Sequence, residues 1–320
     1  MEKGGIIIDG NGYTLTGNSS NHGFYLSHIN DTIIKNVRIE KCDYGVYISE
    51  SVNNTITGNT VTRNNLGIVT SYSKSTLITE NDVLNNVHVG INCFHSENDT
   101  ITKNTVTNNG EQGILLHSST KSCYVSENEI LNNESNGVRL GWATTNNTIT
   151  KNKIQNNGEN GISLYESRFN TISRNIIDGN NVNGIHQTTY CSNVIFLNNI
   201  TSNREYGIYN GQWTSNLIYH NNFIDNGNQA TNYLGDTSTW DNGFPSGGNY
   251  WSEYNGTDND EDGIGDTPYV IDENNQDNYP LMEPTIIPEF PSWIILPLFL
   301  VATLIVTKYR KRMNKLKVKF

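Results

Sequence analysis

A base, a cation and an acid lie along the middle of the sequence: His117, Arg139 and Glu166. A neutral imidazole can take a proton from carbon, a guanidinium can hold a carboxylate and the charge that develops on it, and a carboxyl can return a proton. Together they are the set that a lyase or epimerase acting on sugar acids needs. Aromatic and polar side chains surround them: Tyr25, Tyr47, Glu50, Tyr72, Phe94, His95, Trp142, Tyr165, His186 and Tyr209. Rings stack on the apolar faces of sugars, and carboxylates and imidazoles bond their hydroxyls. From this group Tyr47, His95, His117, Arg139, Trp142, Tyr165, Glu166, His186 and Tyr209 form the expected ligand-binding set, although exposed strands favour Tyr without any ligand. A separate group is acidic. Asp258, Asp260, Asp262 and Asp266 stand at positions 1, 3, 5 and 9 of a calcium-type loop, with Gly263 at position 6 and the Ile264 carbonyl at position 7. Position 12 is Tyr269 rather than the bidentate Glu of an EF-hand, so the expectation is a single-loop Ca²⁺ site of lower affinity, completed by Asp272 or a carbonyl. A solvated acidic turn without metal has the same composition.

What positions these residues is a repeat. A glycine followed by an aliphatic or aromatic residue recurs at Gly23, Gly45, Gly67, Gly90, Gly113, Gly137, Gly161, Gly184 and Gly207. In step with it run Asn36, Asn59, Asn81, Asn104, Asn128, Asn152, Asn175, Asn198 and Asn221, each three residues after an Ile or Val. Each period of 22 to 24 residues carries two alternating β-type segments, such as residues 98–106 and 113–116, and no helical period between them. Short strands without crossover helices cannot build an α/β sheet, but they can wind into a solenoid whose successive coils pair in parallel. The expected fold is all-β, a right-handed single-stranded parallel β-helix of the pectin-lyase-like kind. Its nine coils at ~4.8 Å make a rod of roughly 40 Å. Side chains at one position of the repeat then stack: Ile and Val fill the interior, the Asn amides bond one another at a sharp turn, and Gly marks a bend where a Cβ would clash or φ is positive. These Asn and Gly are read as architecture, and the sugar-facing residues as one outward face.

Composition narrows the partners. Only 35% of the chain is hydrophobic and 17% charged, which suits a narrow repeated core better than one compact globule. The net charge of -11 conceals an asymmetry, because seven of the 21 basic residues lie from Lys308 onward while no acid follows Glu289. Residues 1–292 are left with 14 basic against 32 acidic groups, so nucleic acid is excluded as a partner. Cys42, Cys93, Cys123 and Cys191 fall at different places in their repeats, and no disulfide is expected.

The repeats resemble those of the NosD-like family of parallel β-helix proteins, which are similar in turn to sugar-binding and sugar-cleaving β-helices. Residues 6–17, Ile-Ile-Ile-Asp-Gly-Asn-Gly-Tyr-Thr-Leu-Thr-Gly, are similar to the family's first coils. Residues 248–257, Gly-Asn-Tyr-Trp-Ser-Glu-Tyr-Asn-Gly-Thr, with Asn278-Tyr-Pro-Leu281, resemble its C-terminal signature. The likeness covers about residues 5–284. It implies a scaffold with several uses, copper maturation among them. Copper needs clustered His, Met or Cys ligands. The seven His and three Met form no His-x-His, Met-x-x-Met or stacked column, and no copper site is assigned.

After the acidic segment the chain changes character. Residues 293–307 carry no charge, and Lys308, Arg310, Lys311, Arg312, Lys315, Lys317 and Lys319 follow. The pattern predicts a transmembrane helix with the β-helix outside and a cytoplasmic tail. The run Ile287-Pro-Glu-Phe-Pro-Ser292 before it is similar to the PEF-CTERM sorting signals of archaeal surface proteins, which implies a sortase-like processing enzyme as a partner. The expected organisation is therefore β-helix 1–227, acidic cap 228–285, Pro-rich linker 286–292, membrane helix 293–307 and tail 308–320. The first reading of function is a non-enzymatic surface rod that binds glycans or envelope components. The alternatives are a polysaccharide lyase or epimerase using His117, Arg139 and Glu166, and a copper accessory protein.

Overall fold

The computed structural model describes residues 5–233 and 236–287. They form a right-handed parallel β-solenoid of about ten turns, with no helix. Its wall has three parallel faces. The first runs over ten strands from Ile7–Asp9 to Leu217–Tyr219, the second over eleven from Thr14–Thr16 to Tyr250–Trp251, and the third over ten from Phe24–Ser27 to Asn228–Asn232. Each strand pairs with its equivalent one coil away, so the sequence period is the strand register: Ile101 lies beside Ile78 and Val125, and Val106 beside Val83 and Ile130.

Three strands per coil, not two, is the first correction. Residues 98–106 read as one alternating run, yet Thr100–Thr102 belongs to the first face and Thr105–Thr107 to the second. The chain turns at Lys103, whose φ is 57°, and Asn104 follows pointing inward. Its Nδ2 donates to Ile78 O at 2.9 Å and to Asn128 Oδ1 at 3.0 Å, while its backbone N donates to Asn128 Oδ1 at 2.9 Å. The corner adds one residue to the alternation: the inward positions run Asp99, Ile101, Asn104, Val106, with exposed Lys103 as the extra residue. Repeated coil after coil, Asn59, Asn81, Asn104, Asn128, Asn152, Asn175, Asn198, Asn221 and Asn249 make an unbroken buried ladder with Nδ2 to Oδ1 distances of 2.9–3.1 Å. A second ladder, Asn64 through Asn226, lines the corner after the second face. Each amide satisfies backbone groups that would otherwise be buried without partners.

The glycine column answers to close approach rather than to backbone sign. A Cβ on Gly137 would lie 2.7 Å from Gly161 O and 2.5 Å from Ile154 Cγ2. Between the faces the inward columns are aliphatic and sealed: Ile34, Ile56, Ile78, Ile101, Val125, Ile149, Ile172, Ile195 and Ile218 are all 0% exposed. Each buried side chain of this size stabilises by roughly 1.5–3 kcal/mol, so the column holds coil to coil along the rod. All four cysteines are buried and free. At the C-terminal end the Phe223, Trp251 and Tyr269 rings stack at centroid distances of 4.5 and 4.2 Å. The antiparallel hairpin Tyr269–Asp272 with Asn275–Asp277 brings buried Asp277 under the last ladder amide, where its Oδ2 accepts from Asn249 N and Trp251 Nε1.

The predicted membrane helix 293–307, the basic tail and all but the first two residues of the Pro-rich linker lie outside the described residues. Among the described residues no helix is long and apolar enough to cross a membrane.

Candidate functional site

The third face carries the outward side chains that the repeat pointed to. Within each strand the second and fourth positions after the Gly column face outward. Register sets Arg139 beside Leu115 and Ser163, and Gly141 beside His117 and Tyr165, while Ser163 is followed by His186 and then Tyr209. Four neighbouring strands, Ile114–His117, Val138–Gly141, Ile162–Tyr165 and Asn183–Thr189, therefore bring His117, Arg139, Tyr165 and His186 around two small residues, Gly141 and Ser163. The alpha carbons of His117 and Tyr165 stand about 10 Å apart, two strand spacings, with only Gly141 between them.

Gly141 has no structural need to be glycine. Its φ is not positive, and a Cβ built there meets nothing within 4 Å except His117 Cβ at 3.7 Å. The glycines of the repeat column are crowded by backbone, whereas this one would accept a Cβ at ordinary contact distance, although Gly141 itself is buried among the side chains around it. It was missed in the sequence, where the signal was a glycine in the outward column that holds Phe94, His117 and Tyr165.

The third face is poor in charge, as is the first, whose ten strands hold one acid, Asp9. The ten strands of the third face hold no Asp or Glu, although the chain has 32, and Arg139 is their single Lys or Arg. His117 is half-buried, and burial, with His95 and Arg139 nearby, holds its imidazole below the usual range, so it is neutral at pH 7. Its Nδ1 lies 3.2 Å from Ser118 Oγ, and its Nε2 is buried with no hydrogen-bond partner among the described residues. Turning that ring toward a ligand breaks no bond to Nε2 and gains one. Burial also lowers His186, against the opposing pull of Glu159 and Glu205.

Other expected members are placed elsewhere. His95, Trp142 and Glu166 are not on the flat face but on the corner that ends it, with φ of 48°, 45° and 49°. The strand alternation stops where the backbone turns left-handed. Trp142, 62% exposed, follows Gly141 directly, with its ring 6.4 Å from that of Tyr165. Tyr47 lies four strands from Arg139, in a cluster with His22, Tyr25 and Tyr44, and Tyr209 packs its ring on His186 at 5.0 Å. In the cap, Asp258, Asp260 and Asp262 offer carboxylate oxygens within 4.8 Å of one another, and the charge of Asp262 raises the Asp260 carboxyl. Asp266 is not in that group, because its Oδ2 takes hydrogen bonds from the backbone and side chain of Asn259. The Ile264 N–H donates to Asp262 Oδ1 at 2.8 Å. Asp272 is occupied with Asn274 and Asn275.

Comparison with known families is decided by the coils and the cap together: the model described as periplasmic copper-binding protein (NosD) matches residues 85–256. The chain belongs to the NosD family. A right-handed β-helix model also matches residues 4–148, and no curated protein matches. Among solved structures, this NosD-family chain is similar to the periplasmic alginate epimerase AlgG, at 19% identity and a TM-score of 0.64 over 67% of this chain and 59% of that one. It is also similar to the A-module of the Azotobacter vinelandii mannuronan C-5 epimerase AlgE4, at 14% identity and 0.54 over 67% and 75%. A third likeness is to XylC in complex with xylose, at 14% and 0.54 over 68% and 45%. The chain thus spans about three fifths of AlgG, and identities this low establish a shared fold.

Proposed function

We propose that this NosD-family β-helix acts on a polysaccharide containing uronic acid, and that His117 and Arg139 carry proton transfer at the carbon beside the sugar carboxylate. The observation that carries the reading is the third face itself: its strands are free of acids, with one guanidinium beside a neutral imidazole and the small residues Gly141 and Ser163 between Arg139, His117 and Tyr165. The fold shared with two alginate or mannuronan epimerases supports it. Arg139 binds the carboxylate and carries the charge of the enolate that forms when His117 takes the alpha proton. Tyr165 stands on the far side of Gly141, where it can return a proton to the other face of the carbon, giving the epimer. Expulsion of the linked sugar oxygen instead gives the unsaturated product of a lyase.

Binding without turnover is the second reading, favoured by the buried setting of His117 Nε2. Incubation with mixed uronate polysaccharides separates the two. New epimer or unsaturated ends that disappear in His117→Ala and Arg139→Ala support catalysis, and binding with unchanged substrate overturns it. Copper, which the family description names, is less well supported. Among the described residues, the three donors close enough to share an ion are the carboxylates of Asp258, Asp260 and Asp262, an oxygen set that suits Ca²⁺. Copper retained against a weak chelator would restore that reading. A location outside the cell, with residues 293–307 as anchor or processing signal, belongs to the same proposal, because polysaccharide substrates lie there.

A further inference from the structure

Three coils before Arg139 a groove of about 460 Å³ opens at the corner of the third face, lined by Glu50, Val52, Tyr72 and Lys74. Tyr72 is 56% exposed and sits on the same left-handed corner that Glu50, His95, Trp142 and Glu166 take in their coils. The His95 ring, one coil on, covers one face of the tyrosine at 4.7 Å and 15°, and the groove lies on the side of the preceding coil. Glu50 pairs with His28 at 3.0 Å and Lys74 with Glu97 at 3.1 Å. Both are more than half exposed and keep further hydrogen-bonding capacity. From Tyr72 a chain of rings leads to His117: His95 to Phe94 at 4.3 Å, then Phe94 to His117 at 5.0 Å.

We propose that this groove is a second sugar subsite, for a neutral sugar of the same polysaccharide chain that places a uronate beside Arg139. The ligand class follows from the lining. Tyr72 offers a ring face to the apolar side of a pyranose, and Glu50 and Lys74 bond its hydroxyls. Glu50 and Lys74 carry opposite charges, so the lining has no net charge to select a carboxylate and suits a neutral sugar. Three coils at ~4.8 Å put the groove roughly 14 Å from the strand of Arg139, a span of a few sugar units. A substrate with uronate at one point and a neutral sugar farther along is a mixed polymer, and a single guanidinium on the face is matched to one carboxylate rather than to a polyuronate. The inference rests on the reading of the surface around Arg139 and His117 as a uronate site.

Calorimetric titration of the full chain with short and long fragments of an alternating uronate–neutral polymer, such as hyaluronan oligosaccharides, tests it. Wild type, Tyr72→Ala, Tyr72→Trp and Arg139→Ala are compared. The expected result is tighter binding of long fragments by wild type and Tyr72→Trp. Tyr72→Ala loses that gain, about tenfold, with no change for short fragments. Equal binding of long fragments by wild type and Tyr72→Ala overturns the subsite while leaving the uronate site intact. Tyr72-dependent binding that Arg139→Ala does not weaken keeps the subsite and sinks the uronate reading. No binding of either fragment by wild type overturns both.

Discussion

Gly141 and Asp99 each depart from their column, and each departure has a consequence that can be measured. At Gly141 the departure removes a side chain. An alanine Cβ there meets only ordinary contact with His117 Cβ and costs less backbone entropy than glycine in a strand, so Gly141→Ala should leave the melting temperature unchanged or raised while sugar binding or turnover falls about tenfold. A fall in stability of the same size would mean that the glycine serves packing. At Asp99 a carboxyl stands in an inward corner column where later coils carry Asn147, Asn170 and Asn193. Its Oδ1 accepts from Thr76 N at 2.8 Å and its Oδ2 from Thr70 Oγ1 at 2.9 Å, with the Cys93 and Cys123 thiols nearby. Burial pushes it up to about 7. A raised acid binds its proton more tightly in the folded state, so its contribution is full below the unfolded value near 3.8 and is lost as pH rises to about 7. Asp99→Asn should therefore flatten the pH dependence of thermal stability across that window and be the more stable protein above it. An unchanged profile would show that Asp99 does not titrate there.

At the scale of the element, the corner is the unit that the sequence both revealed and disguised. The Asn column was legible as a stacked turn because it repeats beside an Ile or Val three residues earlier. The third strand was not legible, because Lys103 and Asn104 turn the chain inside a short run where the buried residue after Ile101 is a polar Asn three positions on, and apolar alternation does not count it. The same left-handed corners removed His95, Trp142 and Glu166 from the flat face, since strand alternation says nothing about where a strand ends. Arg139, His117, Tyr165 and His186 were placed correctly, being within the strands. The ladder also makes a stability prediction. Asn152 accepts from Asn128 N and Nδ2 and donates to Asn175 Oδ1 and Val125 O. Asn152→Ala leaves several buried groups unpaired and should destabilise by about 3 kcal/mol or more in denaturant unfolding. Tyr165→Ala, at a half-buried position on the outer face, should change stability far less. Equal losses would deny the ladder its structural role.

Residues 5–287 form an acidic solenoid whose third-face strands carry no acid, and that contrast is invisible to composition, which averages it away. It emerges only when the columns are aligned in three faces, a step that needs the third strand. The cap is the opposite extreme, with three carboxylates drawn together at its loop. Ca²⁺ binding there should raise the melting temperature in proportion to the logarithm of its concentration above Kd, reversibly with EDTA, and Asp260→Asn should remove the response. A melting temperature indifferent to Ca²⁺ would reduce the loop to a solvated turn. The central claim is narrower: His117 removes a proton from carbon beside a carboxylate held by Arg139. Incubating the protein with a uronate-containing polysaccharide in D₂O, and reading the sugar by NMR, tests it most directly. The account predicts deuterium at the carbon beside the carboxylate with wild type and none with His117→Ala or Arg139→Ala. Polysaccharide that binds wild type and returns without deuterium at that carbon and without cleavage would contradict it.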